Sequence, residues 1–185
     1  MKREVRIMNY FPGCDPTEIR MSGNYRYYLS KKGERPLIVI GMNPSLANRK
    51  RADLTVRKIS KVAMLSGFDG WVMLNVHPIY STNPKAVKPT VNNKKQLRKN
   101  LNFIREHLNK FPDAPVFVAW GKNDGVYILD TGRKMVNDLL KEMGRECYAF
   151  KLNKDNTPAH PSRLPYKIMI DAATNMNCIY KLQGS

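Results

Sequence analysis

Four clusters of polar residues are the parts of this sequence best suited to binding or catalysis, and each follows a short apolar run. Their amide, imidazole and hydroxyl groups can donate and accept hydrogen bonds, which a small polar ligand requires. The clusters are Gly41-Met42-Asn43-Pro44-Ser45, Asn75 with His77, Trp120-Gly121-Lys122-Asn123, and His160-Pro161-Ser162-Arg163-Leu164.

The apolar runs before these clusters predict strands. Residues 36–41, 71–76, 115–121 and 147–152 are short and rich in Val, Ile and aromatic side chains, which is typical of buried parallel strands. Helical spacing of apolar residues occurs between them, over 53–67, 92–109 and 124–143. Strands that alternate with helices predict an α/β fold with three layers, α/β/α, around a central, mainly parallel four-stranded sheet.

The length of 185 residues suits a single domain over residues 1–185. Residues 36–175 form its predicted core. Residues 1–35 read as an irregular or hairpin preface in which 25–29 form an edge strand. Because ligands of open α/β sheets bind at the carboxyl ends of the strands, the four polar clusters are expected to meet in one pocket.

The formal net charge is +17, and it is concentrated in two windows. Residues 49–61 hold six basic residues and one acid, Asp53, and residues 85–99 hold six basic residues and no acid. Such concentration favours a polyanionic partner, most often nucleic acid, over the alternative of a merely solvated surface. Asp53 itself is read first as the cap of the following helix and second as a catalytic acid.

Several protein classes are excluded by the composition. No apolar run is long enough for a membrane span, and the first residues lack the apolar stretch of a secretory signal. Three distant cysteines fit neither a disulfide framework nor a metal site, and the three histidines show no zinc spacing. We therefore expect a cytoplasmic protein without metal, cofactor or membrane association. No P-loop or dinucleotide-binding glycine motif is present.

The four clusters, in this order, resemble motifs of the uracil-DNA glycosylase superfamily. The run from Gly41 to Ser45 is similar to GINPG, Met73-Leu74-Asn75 to the strand that ends in Asn, Trp120-Gly121 to a strand that ends in WG, and residues 160–164 to HPSPL. More closely, the NPSxAxxxxxDxT pattern from Asn43 to Thr55 resembles a domain family of unknown function found in bacteria and their phages. The resemblance spans residues 36–166.

This resemblance implies two catalytic residues. Asn43 would position a water molecule, although its amide cannot accept a proton as a carboxylate can. The alternative is that Asn43 only stabilises a turn. His160, as a neutral imidazole, would donate a hydrogen bond to the oxyanion that develops on the departing base. The implied base pocket also includes Gly41, Met42, Pro44, Asn75 and His77, where Asn75 could instead pair with a neighbouring loop and His77 could be a buried structural residue.

Nucleic-acid contacts are expected around that pocket. The hydroxyl groups of Ser45 and Ser162 can bind phosphate oxygens. Leu164 would be an apolar wedge that fills the space left by a flipped base, or alternatively a core anchor. Arg163 replaces the proline of the HPSPL motif and could bind phosphate. The other predicted contacts are basic residues that flank the first two strand ends: Arg49, Lys50, Arg51, Arg57, Lys94, Lys95 and Arg98.

Three functions remain open at this point. The first is a nucleic-acid-binding protein of the uracil-DNA glycosylase type, with DNA preferred over RNA, that recognises or removes a flipped or modified base. The second is a non-catalytic module on the same fold that binds DNA, RNA or a protein partner. The third is an enzyme that acts on a free nucleotide and uses its basic helices to hold phosphate groups.

Overall fold

The computed structural model describes residues 6–83, 90–122 and 125–182. Within these residues the chain is an α/β protein with a six-stranded mixed sheet and four α-helices. The strands are β1 (Glu18–Ser22), β2 (Tyr25–Lys31), β3 (Pro36–Gly41), β4 (Gly70–Asn75), β5 (Val116–Val118) and β6 (Cys147–Tyr148). The helices are α1 (Leu54–Leu65), α2 (Val91–Lys110), α3 (Tyr127–Glu142) and α4 (Tyr166–Asn175), and a 3-10 turn covers Pro161–Arg163.

The strand order is β1-β2-β4-β3-β5-β6. The neighbouring strands β4, β3, β5 and β6 are parallel to one another, as expected. In contrast, β1 and β2 form an antiparallel hairpin, and β2 pairs with β4 in the antiparallel direction. The predicted four-stranded, mainly parallel sheet is therefore wrong, because the sheet has six strands and is mixed. The expected edge strand at 25–29 lies inside the sheet, where Leu29 pairs with Met73 and both Tyr27 and Leu29 are fully buried.

Two apolar clusters cover the two faces of the sheet. Along β3 and β4, alternate side chains point to opposite faces. Val39 and Met73 lie in a cluster with residues of α1 and α4, while Ile40 and Leu74 lie in a cluster with residues of α2 and α3. This alternation places one helix pair on each face. None of the helices in the described ranges combines the length and the apolar character needed to span a membrane.

The helices α1 and α2 begin where β3 and β4 have ended. Asp53 caps α1, because its Oδ1 accepts a hydrogen bond of 2.9 Å from the amide of Val56. Thr90 caps α2 in the same way through the amide of Asn93, at 3.2 Å. In parallel β-α-β units each helix starts near the carboxyl end of the preceding strand. The amino-terminal turns of both helices therefore border the edge where the polar clusters lie, which we call the carboxyl edge.

Candidate functional site

Asn75 is a fully enclosed polar residue at the carboxyl edge. It ends β4 beside Gly41 of β3, and its side chain is fully buried. Neither amide atom has a hydrogen-bond partner among the described residues, although the backbone carbonyl accepts from the Asn100 amide at 2.7 Å. A Cβ at Gly41 would lie 3.1 Å from Asn75 Oδ1, so glycine leaves room for the amide. A buried group that can both donate and accept is thus left available for a ligand.

Asn43 uses only one end of its amide to hold the loop that carries it. Its Nδ2 donates to the carbonyl oxygens of Ser81 at 2.8 Å and Pro44 at 3.0 Å. This contact ties residues 43–45 to the segment that follows β4. Its Oδ1 has no partner among the described residues. The turn-stabilising role and the water-positioning role expected for Asn43 are therefore compatible, because they use different atoms of the side chain.

The hydrogen bonds of His160 define which ring nitrogen carries the proton. The backbone N–H of Ser162 donates to His160 Nδ1 at 3.3 Å, and Ser162 Oγ lies 2.8 Å from the same atom. Because a backbone N–H can only donate, Nδ1 is the acceptor and the proton of the neutral ring is on Nε2. Burial lowers the pKa of His160, and the nearby Asp53 opposes this shift. The ring is thus a neutral donor whose Nε2–H has no partner among the described residues.

Lys58 of α1 fixes the loop of His160. Its Nζ donates to the carbonyl oxygens of Leu164 at 2.6 Å and Ser162 at 3.3 Å. On the opposite side, a Cβ at Gly121 would lie 3.6 Å from Cβ of His160, which places the loop beside the end of β5. Gly121 itself has a φ of +78°, a conformation that glycine tolerates best. The fourth polar cluster therefore lies against the third, as the strand order predicted.

The remaining residues of this loop differ in how exposed they are and in whether the protein already uses their side chains. Leu164 is only 6% exposed and belongs to the apolar cluster below α1 and α4, which agrees with the core-anchor alternative rather than with a free wedge. Arg163 is exposed. Ser162 is half-buried and shares its hydroxyl with His160, whereas Ser45 is half-buried and its hydroxyl makes no contact among the described residues.

His77 is a neutral, enclosed residue just beyond β4. It is fully buried, and its Nδ1 accepts from the amide of Ile79 at 3.0 Å. The backbone of Asn93 lies beside the ring and acts to raise its pKa. Burial lowers the pKa of His77 to about 4. Its backbone amide donates to the carbonyl of Met42, so His77 also joins the second polar cluster to the first.

Several of the predicted basic residues near this edge already have partners within the protein. Arg51 donates to Asn9 Oδ1 at 2.6 Å, and Arg57 donates to the Asn9 carbonyl while its guanidinium lies 3.8 Å from the ring centre of Phe11. These two predicted contacts therefore hold the amino-terminal segment. Five of the other predicted contacts are exposed and have no side-chain partner among the described residues: Arg49, Lys50, Lys94, Lys95 and Arg98. Lys85, Lys88 and Asn123 lie outside the described residues.

Sequence reasoning missed Arg26, which is only 1% exposed. It extends from β2 towards the loop after β3, where its Nη1 donates to the carbonyl of Ala47. Its Nε has no partner among the described residues, and the ring centre of Tyr80 is 6.0 Å from the guanidinium. Burial lowers the pKa of Arg26, and the negative charge of Asp53 opposes this shift. An arginine in an aromatic strand gave no signal, because its burial depends on strand pairing.

Two cavities of the structure lie away from the carboxyl edge. They have volumes of about 340 and 490 Å³, lie near the amino-terminal ends of the strands, and include Gly33 and Pro115, respectively, in their linings. Neither is lined by Asn43, Asn75 or His160. Within the described ranges no group of three His, Cys, Asp or Glu residues is arranged to hold a metal ion.

Comparisons with known proteins identify the family and nothing more specific. No curated protein and no solved structure matched the chain, so the resemblance to uracil-DNA glycosylases still depends on the four motifs. A family model described as a protein of unknown function (DUF1643) matches residues 26–162. This range includes β2 to β6, the loop of Asn43 and the loop of His160. The chain therefore belongs to the DUF1643 family of proteins of unknown function.

Proposed function

We propose that this protein binds nucleic acid, with DNA preferred over RNA, and holds one unstacked base at the carboxyl edge, beside Asn75. The observation that carries the proposal is the fully buried side chain of Asn75, whose donor and acceptor atoms both lack partners in the part of the chain that the structure describes. Unpaired buried amides are costly, at about 1–3 kcal/mol each, and are retained where a ligand uses them. The edge of a nucleobase offers both the acceptor and the donor that such an amide needs.

Charge supports a polyanionic ligand at this edge. The exposed cations Arg49 and Lys50 lie in the loop before α1, and Lys94, Lys95 and Arg98 lie in the first half of α2. Tyr127 at the start of α3 is 66% exposed. Phosphate contacts from these residues would position a strand without reading its sequence, and the tyrosine ring offers a surface for base stacking.

Cleavage of the N-glycosidic bond is a second, separate part of the proposal. Neither Asn43 Oδ1 nor His160 Nε2–H has a hydrogen-bond partner among the described residues. Asn43 Oδ1 would orient a water molecule towards the anomeric carbon, and His160 Nε2–H would donate to the base. When the water oxygen bonds to that carbon, the bond between carbon and base nitrogen breaks and its electron pair leaves with the base. The water proton passes to solvent because an amide does not accept it. A hydrogen bond from neutral His160 would stabilise the negative charge on the departing base.

The experiment that tests base binding compares two single strands of equal length and charge. One consists only of abasic spacers, and the other has a single central uracil. We expect both to bind with steep salt dependence, because phosphate contacts release counterions, and the strand with the base to bind more tightly. Equal affinity for the two strands would contradict the binding of the base. Weak binding that is insensitive to salt would contradict nucleic-acid binding altogether.

The matched variant for this experiment is Asn75→Leu, which keeps the number and branching of the side-chain heavy atoms and removes both polar atoms. It should bind the two strands equally, at the affinity of the wild-type protein for the abasic strand. Stabilisation of the wild-type protein by a nucleoside monophosphate, without any by the strands, would support the free-nucleotide alternative instead. Release of free uracil from the base-bearing strand tests the cleavage step.

A further inference from the structure

Helix α1 carries three cations, Arg57, Lys58 and Lys61, and no Asp or Glu. All three residues are half-buried, so their side chains lie against the protein rather than extending into solvent. No acidic oxygen among the described residues lies within 4.0 Å of any of them. Arg57 and Lys61 are about one turn apart on the same side of the helix, and like charges at that spacing destabilise a helix. A bound anion would remove this repulsion.

The ring of Phe11 holds two of these cations in place. Its centre lies 3.8 Å from the guanidinium carbon of Arg57 and 4.1 Å from Nζ of Lys61. Arg57 also donates through Nε to the carbonyl of Asn9 at 2.9 Å. These contacts leave the terminal N–H groups of Arg57 and the ammonium of Lys61 without a hydrogen-bond partner among the described residues. Cationic donors that are fixed by their neighbours in this way are suited to the oxygen atoms of a phosphate.

Lys58 connects this pair of cations to the loop of His160. Its Nζ donates to the carbonyl of Leu164 at 2.6 Å and lies 5.7 Å from the ring centre of Tyr166. The ring of Tyr166 is in turn 6.5 Å from the ring of Phe11, measured between centres. Cations and rings therefore continue from the loop of His160 along the first two turns of α1. We call this surface the α1 face; it consists of Phe11, Arg57, Lys58, Lys61 and Tyr166.

The α1 face and the exposed cations of α2 lie on opposite sides of the sheet. The apolar cluster under α1 and the apolar cluster under α2 cover different faces of the sheet. Both helices begin at the carboxyl edge, and Asn75 ends β4 at that edge. The shortest path between the two sets of cations therefore crosses the carboxyl edge, where Asn75 lies.

We propose that the α1 face is a second phosphate-binding surface, and that a single strand crosses the carboxyl edge from the α2 side to the α1 side. The unstacked base lies beside Asn75, and the phosphates on its two sides contact different helices. Because a strand has a direction, its 5′ and 3′ sides are not equivalent, and one of them always meets α1. This inference rests on the proposed function, because it assigns a path to the same ligand. A phosphate backbone fits better than an acidic peptide, because cations lie on both sides of a residue suited to a base.

The test uses two strands that each carry one uracil near one end and abasic spacers elsewhere. The spacers extend from the 5′ side of the base in one strand and from the 3′ side in the other, with the same number of phosphates. Arg57→Gln with Lys61→Gln should lower the slope of log affinity against log salt by about 1–2 for one of the strands only, because two phosphate contacts are lost there. Neutralisation of the exposed cations of α2 should lower the slope for the other strand. These cations are Lys94, Lys95 and Arg98.

Three further variants separate charge from structure. Lys61→Gln alone breaks no hydrogen bond among the described residues and should lose about half of the slope that the double variant loses. Arg57→Lys with Lys61→Arg keeps both charges and should keep the slope. Lys110→Gln is the matched control, because Nζ of Lys110 lies 5.2 Å from the ring centre of Phe111, at the end of α2 away from the carboxyl edge. It should leave the slope unchanged for both strands, and the melting temperature of every variant shows whether the fold is retained.

The outcomes separate the two proposals. Wild-type slopes in the double variant for both strands, with uracil strands still bound more tightly than abasic ones, would overturn the α1 face and leave base binding intact. Equal losses of slope for both strands would also overturn it, because the phosphates would then follow no fixed path. A loss in the charge-conserving variant as large as in the double variant would show that charge is not the cause. Polyglutamate binding that requires Arg57 and Lys61, without any effect of these residues on the strands, would assign the α1 face to an acidic peptide instead. Binding of both strands that is insensitive to salt in the wild-type protein would overturn both proposals.

Discussion

Lys58 Nζ lies 2.6 Å from the carbonyl oxygen of Leu164 and thereby joins the first turns of α1 to the loop that carries His160. The same ammonium group approaches the carbonyls of Pro161 and Ser162 at 3.4 and 3.3 Å. Partial burial lowers the pKa of Lys58. One cation therefore orders three carbonyl groups of a short turn, and the orientation of the imidazole depends on that order.

Removal of this cation should lower the stability of the protein and loosen the loop that carries His160. For Lys58→Met we expect a loss of about 1–2 kcal/mol in the free energy of unfolding, because charge-assisted hydrogen bonds are lost while the apolar stem is kept. Urea unfolding monitored by circular dichroism measures this loss. Lys50→Met, at an exposed lysine without a side-chain partner among the described residues, is the control and should change stability by less than about 0.5 kcal/mol. Equal stability of the two variants would show that the Lys58 contacts contribute nothing.

Asn75→Leu should leave stability unchanged or raise it by about 1 kcal/mol. The wild-type amide has no partner for either side-chain atom in the described ranges, so an apolar residue with the same heavy-atom branching loses no hydrogen bond and removes a desolvation cost. Base binding should be lost in the same protein, as expected where function and stability conflict. Thermal unfolding and strand binding are measured on one preparation. A loss of more than about 2 kcal/mol would indicate that Asn75 has a structural role.

His77 should make the protein sensitive to acid. Its folded-state pKa of about 4 lies below the unfolded value near 6.5, so the unfolded chain binds the proton more readily. Stability contributed by neutral His77 is therefore complete above about pH 6.5. It is lost as the pH falls towards 4, by roughly 3 kcal/mol in total.

The control for this effect is His77→Asn, whose Oδ1 can accept from the amide of Ile79 in place of Nδ1. The variant should show a smaller loss of unfolding free energy than the wild-type protein between pH 6.5 and 4, as measured by urea unfolding at each pH. The other histidines and the carboxylates titrate in both proteins and cancel in the difference. Identical pH dependence in the two proteins would contradict the assignment.

The exposed cations in the first half of α2 should contribute to phosphate binding. Neutralisation of Lys94, Lys95 and Arg98 to Gln should reduce the slope of log affinity against log salt by about 2–3, with equal effects on strands with and without a base. The matched control neutralises three lysines away from the carboxyl edge in the same way. These are Lys110 at the end of α2 and Lys134 and Lys141 in the body and last turn of α3. The same slope in both triple variants would show that binding is spread over the whole surface.

The sequence alone determined the α/β class, the four parallel strands and the helices between them. Apolar runs such as 36–41 and the cap at Asp53 are local signals, because strand length and helix capping depend on neighbouring residues. The order of the four polar clusters followed from the same local pattern, since parallel strands connected by helices bring their carboxyl ends to one edge.

The tertiary structure decided what no local pattern contains. The hairpin of β1 and β2 pairs with β4 across about 40 intervening residues, and that pairing buries Arg26 and turns an expected edge strand into an interior one. Long-range contacts also showed that Arg57 and Leu164 are used inside the protein, whereas Lys94 and Arg98 are exposed and make no side-chain contact with the rest of the described chain. Burial and partnership depend on residues distant in sequence, so residue type alone could not separate a ligand-binding side chain from a structural one.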